Sequence, residues 1–244
     1  MSSDGLVESA GLGLEIQRRL GAVENYNAWI ASQFLPHAGR RVLDVGCARG
    51  NITRFFLDRE RVIGIDIARD FVDEIRGRFA SVTIFDAFQA DIADEQTVPM
   101  LRAEDIDTVL CVNVLEHIED DVRALRNMRS ILVPDGRLLL LVPAFPGLFG
   151  AMDRADSHFR RYTRKTLITA LGQAALTIES LQFMNVLGIV GWALNGKLLH
   201  RSLIPEGQYG FYDRLVPMLS RVEAALRVPF GLSLVAVARR IDAV

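Results

Sequence analysis

The stretch Val42-Leu-Asp-Val-Gly-Cys-Ala-Arg-Gly50 decides the predicted fold of this 244-residue chain. An apolar strand runs into a turn of small residues, and a helix is predicted from this turn to Asp58. Gly46 has no side chain, so the backbone can turn tightly there and approach a ligand closely. Gly50 permits close packing where the helix starts, and backbone N–H groups at such a position point toward a ligand. The stretch therefore predicts a ligand site at the end of a strand.

Strands and helices alternate along the rest of the first two thirds of the chain. Strands are predicted at 41–45, 62–66, 82–85, 107–112 and 137–142. Helices are predicted at 16–35, 70–78, 94–101, 119–132 and 163–174. Strand–helix units with short connections imply a mostly parallel sheet with helices on both faces, which is a doubly wound α/β fold. In such sheets ligands bind beyond the carboxyl ends of the strands.

The C-terminal third is less regular. Residues 143–162 form a connection too long for a plain turn, which predicts a functional loop. A strand at 177–184 and a last strand at 230–239 are expected to form an antiparallel hairpin, which brings the sheet to seven strands. An apolar insertion at 185–228, predicted to be helical, precedes the last strand.

The composition excludes several classes of protein. Hydrophobic residues make up 50% and charged residues 24% of the chain, with a formal net charge of -2, which indicates a globular protein without a preference for nucleic acid. Two cysteines, Cys47 and Cys111, do not make a disulfide framework and favour a reduced, cytoplasmic protein. The apolar window 183–194 is about half the roughly 20 residues of a spanning helix. No transmembrane segment is predicted, while contact with a membrane surface stays open.

Acidic and amide side chains follow the ends of the predicted strands. Asp66 ends the second strand, where a carboxylate can take both hydroxyls of a ribose. Asp91 follows the third strand, where it can accept from an adenine amine, and Asn113 lies just past the fourth. The alternative role for either aspartate is that of a helix cap. The Gly-x-Gly-x-x-Gly spacing of a dinucleotide site is absent, which argues against a nicotinamide-dependent oxidoreductase.

Four motifs together resemble a known family. Val42–Gly50, Gly64-Ile-Asp66, Asp91-Ile92 and Cys111-Val-Asn-Val-Leu-Glu-His-Ile118 are similar to successive motifs of the class I (Rossmann-like) S-adenosylmethionine-dependent methyltransferases. The resemblance covers residues 41 to about 142 and departs at Ala48, where the family usually has glycine. Alanine there would matter if the position needs a positive φ.

The resemblance implies S-adenosyl-L-methionine as the cofactor and assigns its contacts. Asp44 would anchor the methionine amino group, directly or through water, and the turn after it would pass under the methionine moiety. Asp66 would hold the ribose and Asp91 the adenine amine, with apolar neighbours on both faces of the ring. The expected cofactor-binding residues are Asp44, Gly46, Cys47, Ala48, Gly50, Asp66, Ile67, Asp91, Ile92 and Asn113.

The acceptor is expected to lie beside the loop that follows the fifth strand. His158, in an arginine-rich aromatic segment, is the first candidate for a general base, and His117 is the second. The alternative for His117 is a structural hydrogen bond to the backbone. Arg160 and Arg161 would either clamp an acidic group of the acceptor or brace the loop by pairing with Asp153 and Asp156. The expected substrate-binding residues are Tyr26, Arg160, Arg161 and Tyr162.

The sequence therefore predicts methyl transfer to a small-molecule acceptor that carries an acidic group and an apolar part. O-methylation is favoured over N- or C-methylation, because a deprotonated oxygen is the better nucleophile. No cluster of ligand-type residues at metal spacing is visible, so no metal is predicted. Residues 1–244 are interpreted as one domain, with a leading helix at 15–36, a cofactor-binding core at 40–143 and acceptor-side segments at 144–163 and 185–228. A non-catalytic S-adenosylmethionine-binding protein is the main alternative, and an oxidoreductase is the weaker one.

Overall fold

The structure, a computed structural model, describes residues 18–19, 21–201, 205–226 and 228–242. Its sheet contains the strands β1 (Arg41–Val45), β2 (Arg61–Asp66), β3 (Phe85–Gln89), β4 (Thr108–Val112), β5 (Arg137–Pro143), β6 (Leu176–Met184) and β7 (Ser233–Arg240). They lie in the order β3-β2-β1-β4-β5-β7-β6. β1 to β5 run parallel, whereas β7 is antiparallel to both β5 and β6. The predicted seven-stranded, mostly parallel sheet with an antiparallel final hairpin is confirmed.

Helices flank this sheet. They are α1 (Glu24–Phe34), α2 (Arg69–Arg78), α3 (Thr97–Arg102), α4 (Asp121–Ile131), α5 (Ala151–Ala155), α6 (Arg164–Gln173), α7 (Val186–Trp192) and α8 (Glu206–Leu226). Short 3-10 turns lie at Thr53–Phe56, Leu115–His117 and Pro146–Leu148, and a π-helical segment at Ala193–Leu198 follows α7. The insertion is helical, as predicted. No helix in the described ranges combines the length and the apolar character that a membrane span requires.

The strand order reverses between β1 and β4, so a crevice forms at their carboxyl ends. β1 and β5 lie inside the sheet, and all but the first residue of each strand is buried. Strands covered on both faces are expected to be continuously apolar, which accounts for the leucine run of β5. The turns after β1, β4 and β5 therefore meet at one edge of the sheet.

Two predicted elements have different bounds in the structure. The third strand was expected at 82–85 but spans Phe85–Gln89. Val82 and Ile84 lie in the turn before the strand and still pack against the core, so their apolar side chains do not mark the strand itself. β3 is an edge strand whose residues are mostly half-buried, so the apolar pattern does not mark it. The helix expected from Gly50 to Asp58 is the 3-10 turn Thr53–Phe56.

The leading helix also differs from its prediction at 16–35. The described helix α1 begins at Glu24, after a turn at Ala22, and residues 16, 17 and 20 lie outside the described residues. Its first amides are capped from a distance: Asp213 of α8 accepts from the backbone N–H groups of Asn25 (3.3 Å) and Tyr26 (2.9 Å). α8 thus fixes α1 over the carboxyl end of the sheet.

Candidate active site

The turn after β1 has the backbone conformation of a ligand cradle. Gly46 has φ +68°, and a Cβ built there would lie 2.4 Å from Val114 Cγ2. The amides of Gly46 and Cys47 donate to the carbonyl of Ile65 at 2.8 and 3.0 Å, which fixes the turn to the end of β2. Ala48 has φ +42°, so the position where the family has glycine does need the left-handed region.

Asp44 is buried at the end of β1. Its carboxylate accepts a hydrogen bond of 2.6 Å from the Thr53 hydroxyl. Burial raises the pKa of Asp44 to about 7, because the charged form loses its hydration and the Thr53 bond offsets only part of that cost. A buried carboxylate in this state is suited to receive a cation, such as the ammonium of an amino acid.

A cavity of about 80 Å³ lies between α1 and this turn. Five of the expected cofactor residues line it, namely Asp44, Gly46, Cys47, Ala48 and Asn113. Tyr26 and Asn27 of α1 close the opposite side. Gly50 does not line it and has a packing role, since a Cβ there would lie 2.7 Å from the Phe79 ring.

The remaining expected cofactor residues follow the carboxyl ends of β2 and β3. Asp66 is buried, and its two oxygens accept from the amides of Ala48 (3.0 Å) and Ala68 (2.9 Å). Burial raises its pKa in spite of these bonds. Ile67 is 71% exposed, so its apolar side chain lies on the surface. Asp91 is exposed and accepts from the amide of Ala93 at 2.8 Å, a local turn that does not cap α3, which begins at Thr97, while Ile92 is buried.

A second cavity of about 430 Å³ adjoins the first. Tyr26 and Asn113 line both cavities, and Asn113 holds φ +53° at the end of β4. The insertion supplies the apolar walls through α7 and α8, which contribute Trp192 and Phe211 among others. The end of β4 is thus the point at which the two cavities meet.

Hydrogen bonds hold the insertion in place at the start of α7. Asn185 adopts a left-handed backbone with φ +71°, and its side chain accepts from the amide of Gly188 (2.7 Å) and the hydroxyl of Tyr212 (2.8 Å). Glu223 of α8 accepts from the amides of Asn185 and Val186. α7 and α8 therefore hold one another as walls of the larger cavity.

Three side chains form a polar cluster in the wall of the larger cavity: Glu116, His117 and His158. Glu116 is 1% exposed, and neither carboxylate oxygen accepts a hydrogen bond from another described residue. Burial raises the pKa of Glu116 to about 7. Burial, with the neighbouring His158, lowers the pKa of His117 to about 4. The two imidazole rings meet edge to face, with centroids 4.6 Å apart.

His158 is held by carboxylates on both ring nitrogens. Nδ1 lies 3.1 Å from Asp153 Oδ1, and Nε2 lies 3.3 Å from Asp156 Oδ2. Burial opposes protonation of this ring, but the two aspartates outweigh burial and raise its pKa to about 9. His158 is therefore an imidazolium at neutral pH, which makes it a poor general base.

Arg161 both braces the loop and lines the larger cavity. Its Nε donates to Asp153 at 2.6 Å and its Nη1 donates to the Ala144 carbonyl at 3.1 Å. Its guanidinium also lies 4.5 Å from the centroid of the Trp192 ring, a cation–π contact. The expected pairing with Asp153 is present, whereas Asp156 pairs with His158.

Arg160 and Tyr162 were expected to bind substrate, and the structure places them elsewhere. Arg160 pairs with Asp121 and donates to the Glu119 carbonyl, and the Tyr162 side chain is 2% exposed with its hydroxyl donating to Asp121. The cause is a β-bridge between Tyr162 and Ala144 beside β5. Side chains alternate along an extended segment, so Arg161 faces the cavity and its two neighbours face away.

Sequence reasoning missed the burial of Glu116 and the convergence of three side chains that can bind metals. The ligand atoms of Glu116, His117 and His158 all lie within 4.8 Å of one another. Two of these residues adjoin in the sequence, but His158 comes from a separate loop, so no metal spacing was visible. The pair Glu116-His117 was the one available signal.

Comparison with known proteins agrees with this architecture. A family model described as a methyltransferase domain matches residues 43–138. A ubiquinone biosynthesis O-methyltransferase from Xanthomonas oryzae pv. oryzae (strain PXO99A) is 33% identical over 186 residues, covering 69% of this chain and 75% of that protein. An uncharacterised protein of transposon TN4556 in Streptomyces fradiae is 30% identical over 148 residues, where the chain spans 41% of the relative's length.

A solved structure shows the same fold. The N-methyltransferase NodS from Bradyrhizobium japonicum WM9, in complex with S-adenosyl-L-homocysteine, superposes with a TM-score of 0.56 at 19% identity, covering 90% of this chain and 86% of that one. The strand order, the turn after β1 and the matched relatives agree with one another. This chain therefore belongs to the class I S-adenosylmethionine-dependent methyltransferase family.

Proposed function

We propose that this chain transfers a methyl group from S-adenosyl-L-methionine to an oxygen of a small, partly apolar acceptor. The observation that carries the proposal is the pair of adjoining cavities, which share Tyr26 and Asn113. The cofactor would occupy the smaller cavity and the carboxyl edge of β2 and β3. The acceptor would occupy the larger cavity, so both reactants would meet at the end of β4.

The cofactor contacts follow from the residues at that edge. Asp44 would pair with the amino group of the methionine moiety, which the turn at Gly46 allows to approach the backbone. Asp66 would hold the ribose hydroxyls through the lone pairs that its two backbone bonds leave free. Ile67, bare on the surface, would cover one face of the adenine ring, and Asp91 would accept from its amine.

Positioning would supply most of the catalysis, since the methyl group of a sulfonium is already activated. The reaction forms the oxygen–carbon bond and breaks the carbon–sulfur bond, and the proton of the acceptor hydroxyl passes to solvent. The cluster of Glu116, His117 and His158 lies on the wall where this hydroxyl would bind. We assign His158 a positioning role rather than that of the base, because carboxylates engage both of its ring nitrogens.

Two features favour an acceptor with an apolar body and an acidic group. The walls from α7 and α8 are apolar, and Arg161 and the charged His158 provide the cationic groups of this cavity. The Xanthomonas relative is by name a ubiquinone biosynthesis O-methyltransferase, which supports oxygen as the atom that receives the methyl group.

The test is a turnover assay with S-adenosyl-L-methionine and paired acceptors that differ only in the reacting atom, such as hydroxybenzoates and aminobenzoates. Mass spectrometry should detect the methyl ether of the hydroxylated acid and little methylated amine. Trp192→Ala should raise the KM for the acceptor several-fold and leave the KM for the cofactor unchanged. Arg160→Ala, outside the cavity, is the matched control. Methylation of the amines alone would refute O-methylation, and cofactor binding without any turnover would favour the non-catalytic alternative.

A further inference from the structure

We propose that Glu116, His117 and His158 form a binding site for a divalent transition-metal ion in the wall of the acceptor cavity. The role of the ion in catalysis rests on the proposed function. The argument that the ion binds rests on geometry alone. Each residue offers one ligand atom, and these atoms lie within 4.8 Å of one another. Bonds to a zinc-sized ion are about 2.0–2.2 Å long, so the side chains need to close by about an ångström.

The state of Glu116 is the first independent observation. A carboxylate that is 1% exposed would normally be satisfied by hydrogen bonds, because burial of an unpaired polar group costs free energy. Both oxygens of Glu116 lack such a partner among the described residues, and Glu116 is one of the residues that line the cavity. A cation in the cavity would supply the missing partner.

The support behind His158 is the second observation. Its Nδ1 is held by Asp153, which in turn is fixed by Arg161 and by the amide of Gly150. Histidines that bind metals regularly give their other ring nitrogen to a carboxylate in this way, which orients the ring. The present partner of Nε2 is Asp156, a partly exposed side chain, and an ion that binds Nε2 would replace both this partner and the proton that Nε2 carries at neutral pH.

The donor set indicates the kind of ion. Two imidazoles and one carboxylate suit Zn²⁺, Co²⁺ and related transition metals, whereas Mg²⁺ and Ca²⁺ prefer sites made of oxygen ligands. Catalytic zinc sites commonly have three protein ligands of these types and leave one position open. In this chain the open position would face the acceptor cavity.

An ion in this position would bind the acceptor oxygen beside the cofactor. Coordination lowers the pKa of a hydroxyl, so its proton passes to solvent and the oxygen is held as the anion that attacks the methyl carbon. The same contact would select acceptors with a hydroxyl, or two neighbouring hydroxyls, over amines of the same shape.

The test is direct binding of Co²⁺ and Zn²⁺ to the purified protein after removal of metals with a chelator. Calorimetry should show one site, and Co²⁺ should give the visible absorption of a low-coordinate nitrogen and oxygen site. Glu116→Gln and His158→Ala should each weaken binding at least about tenfold. His37→Ala, a histidine outside the cavity, is the matched control and should bind like the wild type.

Two results would overturn the metal site: no binding of either ion to the wild type, or binding that Glu116→Gln and His158→Ala leave unchanged. Binding of S-adenosyl-L-homocysteine to the same variants verifies that they are folded. The same measurement separates the two proposals. If the protein binds S-adenosyl-L-homocysteine but neither ion, the proposed cofactor site stands and only the metal site is refuted.

Discussion

At the scale of single residues, the proposed cofactor site contains Asp44, a carboxylate whose charged form is destabilised by burial. Asp44 is buried with one hydroxyl partner, and burial raises its pKa from 3.8 to about 7. Because the folded state holds this proton more tightly than the unfolded state, the stabilisation is complete below about pH 4 and is lost as the pH rises through about 7. The free protein should therefore be less stable at pH 8 than at pH 5 on account of this residue.

Asp44→Asn removes that penalty and the charge together. At pH 8 the free variant should melt at least about 3 °C above the wild type, and the difference should vanish near pH 4. The affinity for S-adenosyl-L-homocysteine should fall about tenfold or more, because a charge-assisted bond to the amino group is lost. Melting curves from pH 4 to 8, with calorimetry at pH 8, measure both effects. A variant less stable than the wild type at every pH would contradict the burial argument.

The turn after β1 makes a paired prediction about backbone strain. Gly46→Ala should destabilise the protein by about 2–4 kcal/mol, from the positive φ and the approach to Val114. Ala48→Gly should stay within about 1 kcal/mol of the wild type, because relief of its own positive φ offsets the flexibility of glycine. Urea denaturation of both variants measures these free energies of unfolding. Equal losses in the two variants would show that the conformation of the turn is not the cause.

The residues at the strand ends were predictable because their positions depend on chain order alone. Asp44 lies near the end of an apolar strand, Gly46 and Asn113 follow apolar strands, and the carboxyl ends of parallel strands must share one edge. Glu116, Arg160 and Tyr162 were not predictable in this way. Glu116 lies on the 3-10 turn Leu115–His117, and which residue of 160–162 faces the cavity depends on a tertiary contact without a local signal, the bridge of Tyr162 to Ala144.

At the scale of elements, α8 is linked to the end of α1 that lines the smaller cavity. Asp213 caps the first amides of α1, and Tyr26 and Asn27 at this end line the cavity. The insertion therefore acts on the cofactor site as well as on the acceptor cavity. The sequence predicted a leading helix and a helical insertion, but not this contact, since a cap supplied by a distant helix leaves no pattern near the helix that it caps.

Asp213→Ala should cost about 1–2 kcal/mol, the usual value of a helix cap, and should also weaken binding of S-adenosyl-L-homocysteine several-fold. Asp120→Ala is a matched control, since Asp120 caps α4 by accepting from Arg123 and lines neither cavity. It should lose similar stability with no change in affinity. Thermal melts measure the stability of both variants, and calorimetry measures their affinity for S-adenosyl-L-homocysteine. Equal affinities in the two variants would show that the contact of Asp213 with α1 does not support the cofactor site.

Bounds of elements were less predictable than their existence. β3 is a half-exposed edge strand, and the apolar residues just before it gave a false start at 82–85. The segment after Gly50 forms a 3-10 turn in which the Thr53 hydroxyl reaches Asp44. In both cases a tertiary contact overrides the local pattern.

At the scale of the whole molecule, the mostly parallel sheet and the position of the ligand edge followed from the alternation of strand and helix. The shape of the acceptor cavity did not, because it depends on how α8 packs on α1 and holds the start of α7. Family membership therefore settles the architecture, while the acceptor depends on this later part of the chain.

The most direct test of the central claim is calorimetric titration of S-adenosyl-L-homocysteine into the wild type, Asp66→Asn and Trp192→Ala. The account predicts one saturable site in the wild type, at least about tenfold weaker binding in Asp66→Asn, and unchanged binding in Trp192→Ala, which alters only the acceptor cavity. No binding to the wild type, or an equal loss in both variants, would contradict a cofactor site at the carboxyl edge of β1 and β2 that is separate from the acceptor cavity.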